Sequence, residues 1–200
     1  MKNKPTTNWR RGHPGLTIVE LIAGLGIIGF IILMIASVYL AHTRLFSNQN
    51  TSIEVATQNR IAVDEITNQI RESQTVASTC SSCAGDTTTA TSIILQLWPL
   101  NANGEPFEPA ASAYDYIVYK RNSADNTKLI KKTIVDPGSL RKSDQKIIAV
   151  DISNLQFTYE PDNNNPPTAT TVSVSVTTAL TSGGKTHTTT QSVKAVLRNK

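Results

Sequence analysis

Glu20 is the residue whose type and position point most directly to a chemical role. It is the single charged side chain in an apolar stretch that covers residues 16–41. A carboxylate inside a membrane span costs roughly 2.5 to 3.5 kcal/mol even on insertion scales that assign low costs. Such a cost calls for compensation, so we predict that Glu20 has a positively charged partner. The alternative is an acidic residue that lies near the membrane interface without a function.

The two cysteines of the chain, Cys80 and Cys83, are separated by two residues. In an exported domain this spacing favours a disulfide that closes a short structural loop. Free thiols and redox chemistry are the alternatives, but a redox pair normally begins a helix, and the residues after Cys83 are typical of a loop. A zinc site would need two further ligands, and neither His42 nor His187 has the required spacing.

The sequence contains no recognisable catalytic motif. It has no phosphate-binding glycine loop and no helical His-Glu-x-x-His. Asp64 and Glu65 lie side by side on a predicted helix, which indicates a solvated face rather than an active site. Residues 162–167 offer oxygen ligands, but Asp162 is their single carboxylate, so we predict a turn rather than a calcium loop. We expect a protein that is not an enzyme and has no cofactor or metal, although side chains distant in sequence can still converge.

Residues 16–41 form the element that positions Glu20. At about 1.5 Å per residue they would make roughly 39 Å of helix, enough to cross a hydrocarbon core of about 30 Å once. Three glycines within this span either allow close helix approach or reflect the higher tolerance of membrane helices for glycine. These are Gly24, Gly26 and Gly29.

The distribution of basic residues along the chain predicts its orientation in a membrane. Lys plus Arg number 19 and Asp plus Glu number 15, but four of the basic residues precede the span. These are Lys2, Lys4, Arg10 and Arg11. The positive-inside rule therefore leaves the N-terminus in the cytoplasm and the rest of the chain outside. The exported part has balanced charge and gives no support to nucleic-acid binding. Small basic clusters at residues 128–132 and 141–146 indicate solvated strand ends and turns.

The N-terminal segment resembles the processing signal of type IV pilins and type II secretion pseudopilins. Gly15 ends a short basic leader, Leu16 follows it, and Glu20 occupies the fifth position after the glycine. The resemblance implies that a prepilin peptidase cuts after Gly15 and that the new amine of Leu16 is methylated. The family more often has Phe where this chain has Leu16. An ordinary secretory signal would instead be cut after the apolar stretch, where no small-residue site follows.

The same resemblance implies a function, a location and a set of partners. The protein would be a minor pilin or minor pseudopilin, anchored in the cytoplasmic membrane and then assembled into a surface or periplasmic filament. Its partners would be the prepilin peptidase with its methyl donor, other pilin subunits, the assembly platform and, before assembly, the lipid bilayer. Glu20 would pair with the amine of Leu16, which the family places on a neighbouring subunit. The alternatives are an anchored adhesin or DNA-binding tip subunit, and an anchored enzyme.

The predicted fold class is α+β, with a long N-terminal helix whose second half packs on an antiparallel β head. We assign residues 1–15 to the leader, 16–41 to the membrane span, 42–77 to an amphipathic helix and 78–200 to the head. The apolar face of the amphipathic helix would comprise Ile53, Ala56, Val63, Ile66 and Ile70. The two helical segments are predicted to be continuous. Thr51 and Glu54 could instead form a capping box that starts a second helix.

The head is predicted from runs of apolar and β-branched residues. These predict strands at residues 92–97, 114–120 and 128–135, the last two forming a hairpin. Residues 147–160 are predicted as one strand, residues 172–176 as another, and Gly183-Gly184 as the turn into the last strand. Two segments resemble late parts of larger minor pilins, namely residues 155–159 (Leu-Gln-Phe-Thr-Tyr) and 197–199 (Leu-Arg-Asn).

Overall fold

The computed structural model describes residues 15, 17–80, 82–83, 85–109 and 113–198. Most of the predicted leader, residues 1–14, lies outside the described residues, as do Leu16 and Asn199. The described chain divides into two compact units, of which the first ends at Phe46 and the second begins at Ser47.

Helix α1 spans Ile18–Glu72 without interruption. Thr51 does not cap a second helix, because its hydroxyl donates to the carbonyl of Ser47 one turn earlier, at 3.0 Å. The helix ends where the hydroxyl of Ser73 donates to the carbonyl of Ile70, at 2.7 Å. It therefore ends at Glu72 rather than at residue 77. The β-branched residues that follow favour a strand over another helical turn.

The first unit exposes the apolar side chains of α1. Ile18 is 78% exposed and Leu33 is 70% exposed. Exposed apolar area of this kind is unfavourable in water by about 25 cal/mol per Å². Among the described residues, α1 is the one helix long and apolar enough to cross a membrane. Its composition and length therefore suggest membrane anchoring.

In the described part of the chain, eight strands follow the helix and every neighbouring pair is antiparallel. A five-stranded sheet has the order β1 to β5, namely Thr75–Ala77, Ser92–Leu97, Asp115–Arg121, Leu129–Ile134 and Asp144–Ala149. A three-stranded sheet contains β6 (Ile152–Glu160), β7 (Thr171–Ser182) and β8 (Lys185–Val196). A short 3₁₀ helix, Pro166–Thr168, lies between β6 and β7. The architecture is α+β, as the sequence predicts.

The prediction of a single strand over residues 147–160 is wrong. Strand β5 ends at Ala149 in the larger sheet, and β6 begins at Ile152 in the smaller one. Between them Asp151 has a φ of 60°, in the left-handed region that only a few non-glycine residues adopt. Its carbonyl accepts a hydrogen bond from the amide of Ala179 on β7, at 2.9 Å. This local turn redirects the chain from one sheet to the other.

The core of the second unit lies between the second half of α1 and both sheets. It includes Val63, Ile66, Ile70, Ile93, Leu95, Ile117, Leu155, Phe157 and Val174. The predicted helix face is partly wrong, because Ile53 is 64% exposed and Ala56 is exposed. Val55 and Asn59 are buried in their place. The buried face has the expected helical period, but polar residues occupy four of its positions, namely Thr51, Asn59, Thr67 and Gln69.

Candidate assembly site

Glu20 lies in the first turn of α1 and is hydrogen-bonded to Thr17. Its Oε2 accepts from the backbone amide of Thr17 at 3.0 Å and from the Thr17 hydroxyl at 3.1 Å. The amide of Glu20 in turn donates to Oγ1 of Thr17, at 3.3 Å. This reciprocal pattern is a capping box, which satisfies two amides that the helix leaves without partners. The sequence interpretation missed this role, although the Thr-x-x-Glu spacing is its signature.

Only one carboxylate oxygen of Glu20 takes part in the cap. Oε1 forms no hydrogen bond with any described residue, and the side chain is exposed. The positive end of the helix dipole compensates part of the charge, by about 0.3 to 1 kcal/mol at an exposed site. The dipole alone therefore compensates only part of the cost of placing a carboxylate in a membrane, and the Thr17 bonds reach only one of the two oxygens. Leu16, whose amine is the predicted partner, lies outside the described residues.

Gly15 is exposed, and its surroundings do not require glycine. A Cβ added there would meet no atom within 4 Å, and the residue does not have a positive φ. The same holds for an added Cβ at Gly24, Gly26 and Gly29. Among the described residues, no packing contact requires glycine at any of these four positions.

In the second unit, Asn59 of α1 forms hydrogen bonds with the smaller sheet. Its side chain is fully buried, and Nδ2 donates to the carbonyls of Val176 at 2.8 Å and Thr189 at 3.0 Å. The hydroxyl of Thr178, also fully buried, donates to the carbonyl of Val55 at 2.9 Å. Because a buried polar group without a partner is costly, these bonds favour one register of helix on sheet.

A charged cluster fastens α1 to the larger sheet. Nζ of Lys131 donates to Oε1 of Glu65 at 2.7 Å and to Oε1 of Gln69 at 2.9 Å. The hydroxyl of Tyr119 donates to the same Glu65 oxygen, at 3.2 Å. Desolvation raises the pKa of Glu65, but the hydrogen bonds and the charge of Lys131 outweigh it, and the net pKa is lowered.

The sequence predicts that Glu65 and Lys131 are solvated, and both predictions are wrong. Glu65 is part of the helix–sheet contact, and the side chain of Lys131 is only 13% exposed. Asp64 does lie on the solvated face, where it pairs with Arg60 at 3.4 Å. The difference between Asp64 and Glu65 arises from the phase of the helix, which a pair of adjacent acids does not reveal.

Cys80 and Cys83 are joined by a disulfide, with their Cα atoms 5.2 Å apart. Cys83 is fully buried against Ile94 and Val118, in a small second core on the five-stranded sheet. The loop that follows is held by Asp86, which pairs with Lys120 and Lys132. The bond therefore lies in a packed loop. No group of three His, Cys, Asp or Glu side chains that could hold a metal ion occurs among the described residues.

No protein-family model matches the chain, and no curated protein matches it. One long apolar N-terminal helix followed by an antiparallel β head is consistent with a pilin-like fold.

Proposed function

We propose that this protein is a structural subunit, a minor pilin or minor pseudopilin, of a type IV pilus-like or type II secretion filament. The observation that carries the proposal is Glu20, a lone carboxylate near the start of an exposed apolar helix with one oxygen bound to Thr17 and the other free of described partners. The apolar helix surface suits a lipid bilayer before assembly. After assembly it suits contact with the helices of other subunits.

The proposed processing step would produce a cation for Glu20, which has none among its described partners. Cleavage after Gly15 by a prepilin peptidase would create a new amine at Leu16, and methylation would leave it positively charged. The absence of any packing role for Gly15 among the described residues supports recognition by an enzyme. The leader would remain in the cytoplasm and the head would lie outside.

In the proposed assembly step, Oε1 of Glu20 accepts a hydrogen bond from the amine of a neighbouring subunit. Pairing a carboxylate with an ammonium in a low-dielectric environment offsets much of their desolvation cost, whereas either group alone is strongly unfavourable. Docking beside another subunit would thus lower the free energy of a subunit that is held by its assembly platform. The capping bond to Thr17 holds the carboxylate at the helix end while this happens.

The test compares three substitutions at Glu20 for their content in sheared filaments against their content in the membrane. Glu20→Ala removes both charge and cap, whereas Glu20→Gln retains a capping side chain and removes only the charge. We expect both variants to insert and to be cleaved after Gly15, but to enter filaments poorly. Glu20→Asp should be intermediate, because its charge is kept and its reach is shorter.

Thr17→Ala is the matched control, because it removes the hydroxyl of the cap and leaves the carboxylate. It should enter filaments nearly as well as the wild type. Wild-type levels of Glu20→Ala in the filament fraction would contradict the proposal. An equally severe defect in Thr17→Ala, together with normal assembly of Glu20→Gln, would show that Glu20 acts through capping alone.

A further inference from the structure

A cleft of about 400 Å³ opens on the head, where α1, β2 and β8 reach their C-terminal ends. Leu97, Trp98 and Leu100 give it an apolar wall, and Glu72, Arg141 and Arg198 give it charged groups. Aromatic surface combined with a few converging polar groups is typical of sites for small ligands. None of these residues belongs to the proposed assembly site.

Arg141 is held in place before any ligand arrives. Its Nε donates to Oδ2 of Asp115 at 2.9 Å, and its Nη2 donates to the carbonyl of Trp98 at 3.4 Å. Asp115 is fully buried and also accepts from the hydroxyl of Ser139, at 2.7 Å. Nη1 of Arg141 makes no hydrogen bond within the described chain. The guanidinium therefore presents fixed donors whose charge is partly compensated.

Arg198 and Glu72 bring charges that lack a counter-ion within the described chain. Arg198 is exposed and forms neither a hydrogen bond nor an ion pair with a described residue. Glu72 accepts a hydrogen bond from Nε2 of Gln69 at 3.1 Å, but no described cation lies within ion-pair distance. Both side chains are exposed, so a ligand that pairs with both would carry an anionic group and hydrogen-bond donors.

The backbone around the cleft is already hydrogen-bonded. The amide of Leu100 donates to the hydroxyl of Ser139 at 3.1 Å, and its carbonyl accepts from the amide of Leu140 at 2.9 Å. The carbonyl of Trp98 accepts a hydrogen bond from Nη2 of Arg141. Extended peptides are recognised largely through such backbone groups, so these positions offer little to a peptide. Recognition must depend on side chains.

We propose that this cleft binds an acidic saccharide, a sugar that carries a carboxylate. The carboxylate would take two parallel hydrogen bonds from Arg198, supported by Arg141, in the fork geometry that guanidinium groups favour. Sugar hydroxyls would donate to Glu72, and the apolar face of the ring would pack on the indole of Trp98. A single uronate of about 13 non-hydrogen atoms should bind with a Kd on the order of 1 mM.

The experiment uses the detergent-solubilised full chain. The sequence has two tryptophans, Trp9 and Trp98, so Trp9→Phe leaves Trp98 as the single indole. Its fluorescence is followed while glucuronate or galacturonate is added. Glucose is the uncharged comparison, and N-acetyl-dialanine supplies a carboxylate on a peptide. We expect a saturable change with a uronate and none with glucose.

Arg198→Gln should weaken uronate binding about tenfold or more, because it removes a charge-assisted pair of hydrogen bonds. Lys185→Gln is the matched control, since Lys185 is exposed beside the β7–β8 turn and its loss changes the net charge equally. The proposal is overturned by an absent response to uronates, by an equal response to glucose, by tighter binding of the peptide, or by unchanged binding in Arg198→Gln. These measurements use unassembled subunits, so their outcome is independent of filament assembly.

Discussion

Nζ of Lys131 on β4 lies 2.7 Å from Oε1 of Glu65 on α1, so one ion pair joins the helix to the five-stranded sheet. The hydroxyl of Tyr119 donates to the same oxygen, at 3.2 Å. Because the ammonium is mostly buried, solvent screens this pair less than it screens a surface pair. The free energy of unfolding should therefore change as the groups of this cluster titrate.

The first prediction concerns acid. The pKa of Glu65 is lower in the folded chain, so below its usual range the unfolded state binds more protons. The stabilisation is present above about pH 4.5 and is lost as pH falls through the folded value. With the Glu65 side chain 35% exposed, we expect a loss of only about 0.5 to 1 kcal/mol.

Urea unfolding of the solubilised protein at pH 7 and pH 3.5 measures this loss. Glu65→Gln should reduce the difference between the two free energies of unfolding. Glu54→Gln, on an exposed position of the same helix, should leave the difference unchanged. An identical acid loss in Glu65→Gln and the wild type would contradict the prediction.

The second prediction concerns alkali. Burial raises the pKa of Tyr119, with a further contribution from the nearby charge of Glu65, and burial also raises the pKa of Tyr159. Above about pH 10 the unfolded chain loses these phenolic protons while the folded chain keeps them. The contribution of these two phenols to the free energy of unfolding is therefore fully present below that pH and decreases as the pH rises. Tyr159→Phe should reduce the loss between pH 9 and pH 11 in urea unfolding, and an unchanged loss would contradict it.

The third prediction concerns Asn59, whose Nδ2 bonds to two carbonyls of the smaller sheet. Asn59→Ala should lower the free energy of unfolding by about 1 to 3 kcal/mol, because it removes buried hydrogen bonds and leaves a gap. Asn154→Ala, at an exposed position on β6, should change it by about 0.5 kcal/mol or less. Equal effects of the two substitutions in chemical unfolding would count against the proposed role of Asn59.

The fourth prediction concerns the disulfide between Cys80 and Cys83. Replacing both with Ala should lower the free energy of unfolding by about 2 kcal/mol or less, because the loop that the bond closes is short. Replacing both with Ser should cost more, because position 83 is fully buried and a hydroxyl there needs a partner. Thiol trapping on exported protein checks the bond itself, and complete labelling without reductant would argue against it.

The fifth prediction concerns processing. Mass spectrometry of membrane-extracted protein should find a chain that begins at Leu16 and carries a methyl group on its amine. Gly15→Val should leave the leader attached, because the proposed peptidase would have to accept a larger side chain at its cleavage site, whereas an added Cβ at residue 15 meets no described atom within 4 Å. An intact leader in the wild type, or cleavage after Ala41, would exclude the proposed processing.

Features that depend on residues close together in the chain could be predicted from the sequence. The long apolar N-terminal helix follows from the length and hydrophobicity of residues 16–41. The β7–β8 turn follows from Gly183 and Gly184, which have φ values of 57° and 79°. Alternation also placed Leu155, Phe157 and Tyr159 on a buried face. Each of these depends on local conformation and side-chain period, so a short stretch of sequence carries the information.

The burial of particular polar residues could not be predicted from the sequence, because it depends on long-range packing. Asn59 and Lys131 look like surface residues in the sequence, and their burial depends on partners far along the chain. The division of residues 147–160 between two sheets, and the meeting of Trp98 with Arg198 at one cleft, depend on packing in the same way. Distant partners offset the desolvation of Nδ2 of Asn59 and of the ammonium of Lys131, and local hydrophobicity contains no information about those partners.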